Sequence, residues 1–344
     1  MDKATTFQIS RRGNPERWNV LPILKTTPQL EVDTGFAAGT LTFDLIEVQD
    51  WFTPQNGDEV RFSWNGVKVF FGHIFKVSYS GDEVFSVTAY DNMRYLKNQD
   101  SIIWPAGTAS QRFETMCKAA GIPYRVVTRS SYKLPAKVSD GETYFDMIKA
   151  DLDDTATATG KRYFLRDNDG TVEFLAMPSA KSNIIVGDKS LLTDWKYDAS
   201  IDDAANVVKV VKKSKKDEGK TTATARDSSS GDDPANTTLT TKSASGSTVS
   251  KWGKLQVVEK VNDDKMNAAA MQQKAKDILR EKNKEERTLK LTALGTTDLR
   301  AGDSCYIKVQ SLTDIGIGPR QVNITKLTHK FDPKNWTMDL EVSI

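Results

Sequence analysis

One opening occurs twice in this chain. Gly57-Asp58 leads into the alternating stretch EVRFSW, and Gly302-Asp303 leads into SCYIKV. Each is followed by two more strand-like stretches in the same order, HIFKVSY and VFSVTAY in the first case, NITKLTH and TMDLEVS in the second. Aligned on these, Ile74 falls on Ile324, Lys76 on Lys326, Val77 on Leu327 and Ser78 on Thr328, and the second copy carries a longer loop. Glycine accepts the positive φ of the turn that admits such a strand, and aspartate hydrogen-bonds the amides of that turn. Gly and Asp dominate turns everywhere, so the dipeptide alone carries little. The strand order and the shared I-x-K-[VL]-[ST] carry the inference, which is two similar β modules in one chain.

What lies between the copies differs in period. Residues 5–91 read as short strands with Gly-rich turns, Asn65-Gly66 being a favoured two-residue hairpin turn. In GTASQRFETMCKAAGIP, Phe113, Met116, Cys117 and Ala120 share a helical face. Thr108 with Gln111 forms a capping box, and Gly121 before Pro123 ends the helix. A second helix is predicted from Ser139 and Glu142, with Phe145, Ile148, Leu152 and Ala156 inward and Gly160 closing it; two strands then turn at Asp169-Gly170. The third part is expected to hold a hairpin turning near Glu218-Gly219, then a mobile polar loop over 227–250 made almost wholly of small polar residues, and a long helix over 264–284. The expected fold class is mostly β with an α+β middle domain. Two similar small β-barrel domains, residues 1–95 and 196–344, flank a helix/hairpin domain at 96–195.

Composition narrows the chemistry. A net charge of +2 over 344 residues argues against a partner gripped through many phosphates, so no specific nucleic acid is expected. The basic run Lys212, Lys213, Lys215 and Lys216 lacks interleaved aromatics and reads as a solvated or partner-facing loop. No stretch approaches the length of a membrane helix, and MDKATTFQIS has no apolar core, so neither membrane insertion nor a secretory signal is expected. Two cysteines, Cys117 and Cys305, imply no disulfide framework. The two histidines, His73 and His329, have no ligand-spaced neighbours and read as structural, so no metal site and no cofactor is expected. Asp151, Asp153 and Asp154 cluster on the second helix. They are placed on its polar side, which speaks against the buried carboxylate that acid catalysis needs. No phosphate-cradling glycine motif occurs. The tryptophans of RFSWNG and NWTMDL read as core or interface residues. The expectation is a chain that is not an enzyme.

The stretch SVTAYDNMRYLKNQD resembles the hub proteins of contractile phage tails, the XkdQ type of the PBSX defective prophage, in which a strand ending TAYD runs into RYLKN. SIDDAANVVKV, KWGKLQ and THKFDPKNWTMDLEV agree with the same family in the same order. Two departures are the length of the 227–250 segment and Trp336, where the family would have His before TM. The resemblance implies a structural hub, a homotrimer with two barrels per subunit, so that three chains present six equivalent modules. Such a ring would adapt a hexameric tail tube protein to a threefold spike protein, with neighbouring baseplate proteins around it. Its place would be the tail baseplate of a virion or phage-tail-like particle made in the bacterial host cytoplasm. The repeat and signature residues implicated are Gly57, Asp58, Tyr90, Asp91, Arg94, Tyr95, Leu96, Gly302, Asp303, His329 and Met338. The rival expectations are a cell-wall hydrolase component of the tail tip and a receptor-binding adhesin.

Overall fold

The computed structural model describes residues 3–14, 16–48, 51–215, 237–261 and 266–344. The chain divides into two compact units, one of residues 1–198 with 288–344 and the other of residues 199–287.

The first module of the larger unit comprises β1 (Ala4–Ser10), β2 (Arg17–Asn19), β3 (Gln29–Asp33), β4 (Thr40–Ile46), β5 (Glu59–Trp64), β6 (Val67–Ser80) and β7 (Val84–Tyr90). The alternation seen in the sequence becomes the inside and outside of the sheet. Val60, Phe62 and Trp64 of β5 are buried while Glu59, Arg61 and Ser63 are half-buried. Asn65 and Gly66 both take positive φ, +50° and +81°, as a two-residue hairpin with right-handed strand twist requires.

The middle of the chain follows. It runs β8 (Gln99–Trp104), β9 (Gly107–Thr108), α1 (Ala109–Ala120), β10 (Tyr124–Val126), β11 (Lys133–Leu134), β12 (Lys137–Thr143), α2 (Tyr144–Thr159), β13 (Tyr163–Asn168) and β14 (Thr171–Ala176). Phe113, Met116 and Cys117 of α1 and Phe145, Ile148 and Leu152 of α2 share a core with Phe174 and Leu165 of the hairpin. Both halves of the Thr108–Gln111 capping box form, and Gly121 takes the left-handed cap conformation at φ +66°. Helix α2 starts later than the Ser139–Glu142 pattern predicts. Those residues belong to β12, paired with β8, and the cap is Thr143, whose hydroxyl accepts from the amide of Asp146. Strand pairing took the first candidate cap, and the helix used the next Thr-x-x-Asp.

The second module comprises β15 (Lys181–Gly187), β16 (Leu192–Ser200), and, after the smaller unit, strands 20 to 23. The smaller unit holds β17 (Val207–Lys215), β18 (Thr237–Ser245), α3 (Val249–Trp252), β19 (Gln256–Val261) and α4 (Ala268–Lys282). Strand β17 is central, antiparallel to β18 and parallel to β19, and Met271 and Ala275 of α4 cover Val208 and Val210. Three expectations change here. Residues 199–287 form a unit of their own rather than part of the second module. Residues 237–245, expected within a mobile loop, are a strand, because each residue of that Thr-rich run stands in register opposite one of β17. The antiparallel partner of β17 among the described residues is this strand. The turn at Glu218-Gly219, and residues 227–236 of the expected loop, lie outside the described residues. The predicted long helix is observed as Ala268–Lys282, capped by Asn267.

The second module is completed by β20 (Glu286–Leu294), β21 (Ser304–Lys308), α5 (Gln310–Asp314), β22 (Arg320–Lys330) and β23 (Thr337–Ser343). Three of its strands repeat the first ladder in register, β20-β23-β22 for β4-β7-β6, while the next strand out differs: β15 joins β21 parallel, whereas β1 joins β5 antiparallel. Strand β7 pairs β6 with Ile74 opposite Ala89 and a register shift between Ile74 and Lys76; β23 pairs β22 with Ile324 opposite Val342 and the same shift between Ile324 and Lys326. Likewise Leu41 of β4 faces Ala89, and Leu289 of β20 faces Val342. The fillings differ. The first core is crowded with phenylalanines and Trp64, Trp336; the buried residues of the second are aliphatic with two sulfur side chains, Cys305 and Met338.

Neither module closes into a barrel among the described residues, contrary to expectation. Their strands join in one 13-stranded sheet of order β16-β20-β23-β22-β3-β4-β7-β6-β5-β1-β2, with β21 on β22 and β15 on β21. The cause is β3, which pairs β4 on one edge and β22 on the other, so the edge that would close a barrel links the two modules instead.

Candidate functional site

The duplicated Gly-Asp turns are the same object at the level of single hydrogen bonds. Gly57 has φ +93° and donates its amide to the Ile74 carbonyl at 2.7 Å; Gly302 has φ +90° and donates to Ile324 at 2.8 Å. The amides of Ile74 and Ile324 return bonds to the carbonyls of Asp58 and Asp303, at 2.8 and 2.9 Å. Each aspartate then folds back on its own turn. The Asp58 Oδ2 accepts from the Gln55 amide at 2.9 Å, and the Asp303 Oδ2 from the Arg300 amide at 3.1 Å. A buried carboxylate needs a counter-charge, and the copies find it in different places. Asp58 is paired with Arg11, at the end of β1. Asp303 is paired with Arg166 of β13 at 3.2 Å and accepts from the Ser179 hydroxyl. The second turn is thereby clamped to the middle domain, and a Cβ at Gly302 would overlap the ring of Phe164, whereas one at Gly57 would meet nothing within 4 Å.

The signature block around residue 90 is a joint. Tyr90 ends β7, facing Thr40 and His73 across the ladder. Asp91 caps the 3-10 turn Asn92–Lys97, accepting from Met93 at 3.0 Å with one oxygen and from Gly39 at 2.8 Å with the other. Leu96 is buried in the middle-domain core with Met93, while Tyr95 sets its ring against His73 and Phe75, and Arg94 lies over Phe75. Asn92 donates to the Gly170 carbonyl at 2.7 Å, tying the block to the β13–β14 hairpin. His329 stacks on Phe331 and lies against Trp336, and Met338 faces it across the ladder. Burial holds the His329 imidazole neutral, its pKa lowered to about 4.

Between these two constellations lies a cavity of about 220 Å³, lined by Asp91, Arg166, Asp167, Asn168, Arg300 and His329 among others. Burial, then repulsion from Asp167, pushes the Asp91 carboxyl well above the usual range. Asp167 is pushed up to about 6 by burial, against the bonds it accepts and the pull of Arg300. Burial also lowers Arg300 to about 10. Arg300 donates to Asn168 and to the Asp167 carbonyl, at 3.0 and 2.8 Å. Two acids and two guanidiniums in a cavity invite a catalytic reading, but both arginines are engaged in protein contacts, and Asp91 is spent on two backbone amides. The thiols of Cys117 and Cys305 are buried and held protonated. Among the described residues no group of His, Cys, Asp and Glu has a metal-binding arrangement.

Asp151 corrects a further expectation. It is buried, not on a polar face, and its Oδ1 meets both Arg112 at 2.9 Å and Lys137 at 2.7 Å. Asp153 and Asp154 are exposed. A carboxylate neutralised by two cations and separated from its neighbours serves the packing of α1 on α2. The sequence reading passed over Arg166, Asp167 and Arg300. The signal available was the RDNDG of the second hairpin and the arginine two residues ahead of Gly302, which has no counterpart before Gly57.

A family model described as YqbQ-like matches residues 29–343. The uncharacterized protein YqbQ of Bacillus subtilis is 28% identical over 328 residues, 94% of this chain and 93% of that one. The phage-like element PBSX protein XkdQ of the same organism is 28% identical over 297 residues, 86% of this chain and 83% of that one. The 43 kDa tail protein of prophage MuSo2 from Shewanella oneidensis shares the fold, with TM-score 0.67 at 13% identity, covering 99% of this chain and 98% of that one.

Proposed function

The chain belongs to the YqbQ-like family, with relatives that mark it as a tail protein of the XkdQ kind, and on that premise we propose that it is the structural hub of a contractile tail baseplate. In this reading three copies form a ring of six equivalent β modules. One face meets a hexameric tail tube protein and the other a threefold spike, with neighbouring baseplate proteins outside. The observation that carries the reading is the match of β4-β7-β6 with β20-β23-β22, down to the shared register shift and the paired Gly-Asp turns. A duplication preserved in register while its core fillings diverge is selected for the surface that the backbone presents. Modules left open here would find their closing neighbours in the ring. The cavity near Asp167 fits the same role, as the place where the middle domain is fixed to both modules.

The test is mass and symmetry. Sedimentation of the purified chain, alone and with its tube and spike partners, should give a trimer, and class averages of tail tips should show six modules around a threefold axis. A chain that stays monomeric with both partners present overturns the reading.

A further inference from the structure

The joint between the modules uses one half of each. Over Lys326–Lys330, the outer edge of β22 carries β3, with Lys326 opposite Asp33 and Lys330 opposite Gln29. The Lys326 ammonium pairs with Glu31 at 2.9 Å, and the Thr34 amide donates to the Thr325 carbonyl at 2.9 Å. The equivalent of β22 in the first module is β6, and the equivalents of residues 326–330 are Lys76–Ser80. Beyond Ile74, β6 pairs among the described residues only with β7, and Lys76, Ser78, Tyr79 and Ser80 are exposed. The equivalent of β3 in the second module is β16. It lies on β20, with the Leu294 amide donating to Leu191 and the Thr193 hydroxyl to Thr292, and among the described residues it ends the sheet with no strand on its other edge.

Each chain therefore has one used joint and the two halves of an unused one. We infer that β16 of one copy, through Leu192–Asp198, adds to the outer edge of β6 of the next copy at Lys76–Ser80, as β3 adds to β22 within the chain. This inference rests on the ring reading above and names the surface that would close it. The occupant is a second copy because both missing halves are on this chain, one donor and one acceptor, and because the charges agree. Lys76 occupies the place of Lys326, and β16 carries two acids within reach of that edge, Asp194 and Asp198, the second paired within its own strand to Lys196 at 2.9 Å. A donor edge and an acceptor edge on different modules make a head-to-tail contact, which repeats around a ring instead of ending in a twofold dimer. Main-chain pairing supplies the adhesion and the lysine supplies register.

The experiment combines cross-linking with charge reversal. Ser78→Cys is combined in turn with Thr193→Cys, Asp194→Cys and Lys196→Cys; all four positions are exposed, and the native cysteines are buried. Oxidation of the purified chain and of assembled tails should link separate copies for at least one pair and for none of the four single variants. Lys76→Glu should weaken self-association at least ~10-fold by facing like charges across the edge, and Asp194→Lys or Asp198→Lys should restore it. Thermal melting of each variant verifies the fold. A trimer that survives Lys76→Glu with unchanged affinity, and that no cysteine pair cross-links, overturns this edge while leaving the ring standing. A wild-type chain monomeric even with its tail partners overturns both.

Discussion

Two glycines with the same φ stand in unequal surroundings. Alanine at Gly57 costs only the left-handed backbone, about 1–2 kcal/mol. At Gly302 the same change also drives a methyl group into Phe164, which adds roughly 1–3 kcal/mol of overpacking. Denaturant titration should rank Gly302→Ala as clearly the more damaging. Asp167 makes a pH-dependent prediction. Its folded value of about 6 lies above that of an unfolded aspartate, so the stability it contributes is present below pH ~4 and lost as pH rises through 6. Asp167→Asn keeps an oxygen for the Gly170 amide and removes the charge. Its melting temperature should exceed wild type at pH 8, by the equivalent of about 3 kcal/mol, and converge on it near pH 4. Equal differences at both pH values would show that Asp167 is not the titrating group. His329 has the opposite sign. Its lowered value means stability lost as pH falls from the unfolded value near 6.5 through about 4.

At the scale of elements, the sequence was most legible where a local rule had no competitor. Helix α1 has its capping box and its terminal glycine where the letters place them, since the two-residue β9–β11 ladder, with Thr108 opposite Lys133, leaves the Thr108 hydroxyl and amide to the cap. Helix α2 does not, because Ser139 and Glu142 were wanted by the β8–β12 ladder. The consequence is measurable. Thr143→Ala should cost about 1 kcal/mol as a lost cap. Ser139→Ala should cost little or nothing, because the buried Ser139 hydroxyl has no hydrogen-bond partner. Asp151 was misplaced for a related reason. Helical period assigns it to neither face decisively, and the Arg112 and Lys137 that draw it inward lie 39 and 14 residues away in the chain. Long-range partners of that kind, like the Arg166–Asp303 pair, leave no periodic trace.

For the whole molecule, the repeat announced two modules but not their connection. Barrel closure is the ordinary expectation for short strands with glycine turns. Whether β3 closes its own module or bridges to β22 depends on a pairing 291 residues apart, Thr34 with Thr325, which no local pattern encodes. The bridge also knits the cores. Phe331 follows β22, yet it is buried against Phe62 and Trp64 of the first module. Phe331→Ala should therefore cost about 3–5 kcal/mol and lower the melting of both modules together, read as a single shifted transition by calorimetry. Two resolved transitions would mean the modules unfold independently.

The hairpin between β5 and β6 turns on two residues, Asn65 and Gly66, while its counterpart between β21 and β22 accommodates helix α5. In a circle of alternating modules, plain and helix-bearing corners would then succeed one another. A visitor arriving on that rim would find three docking notches instead of six and could seat in three orientations only. One short helix in one copy of a duplicated hairpin is enough to give such a washer an uneven rim.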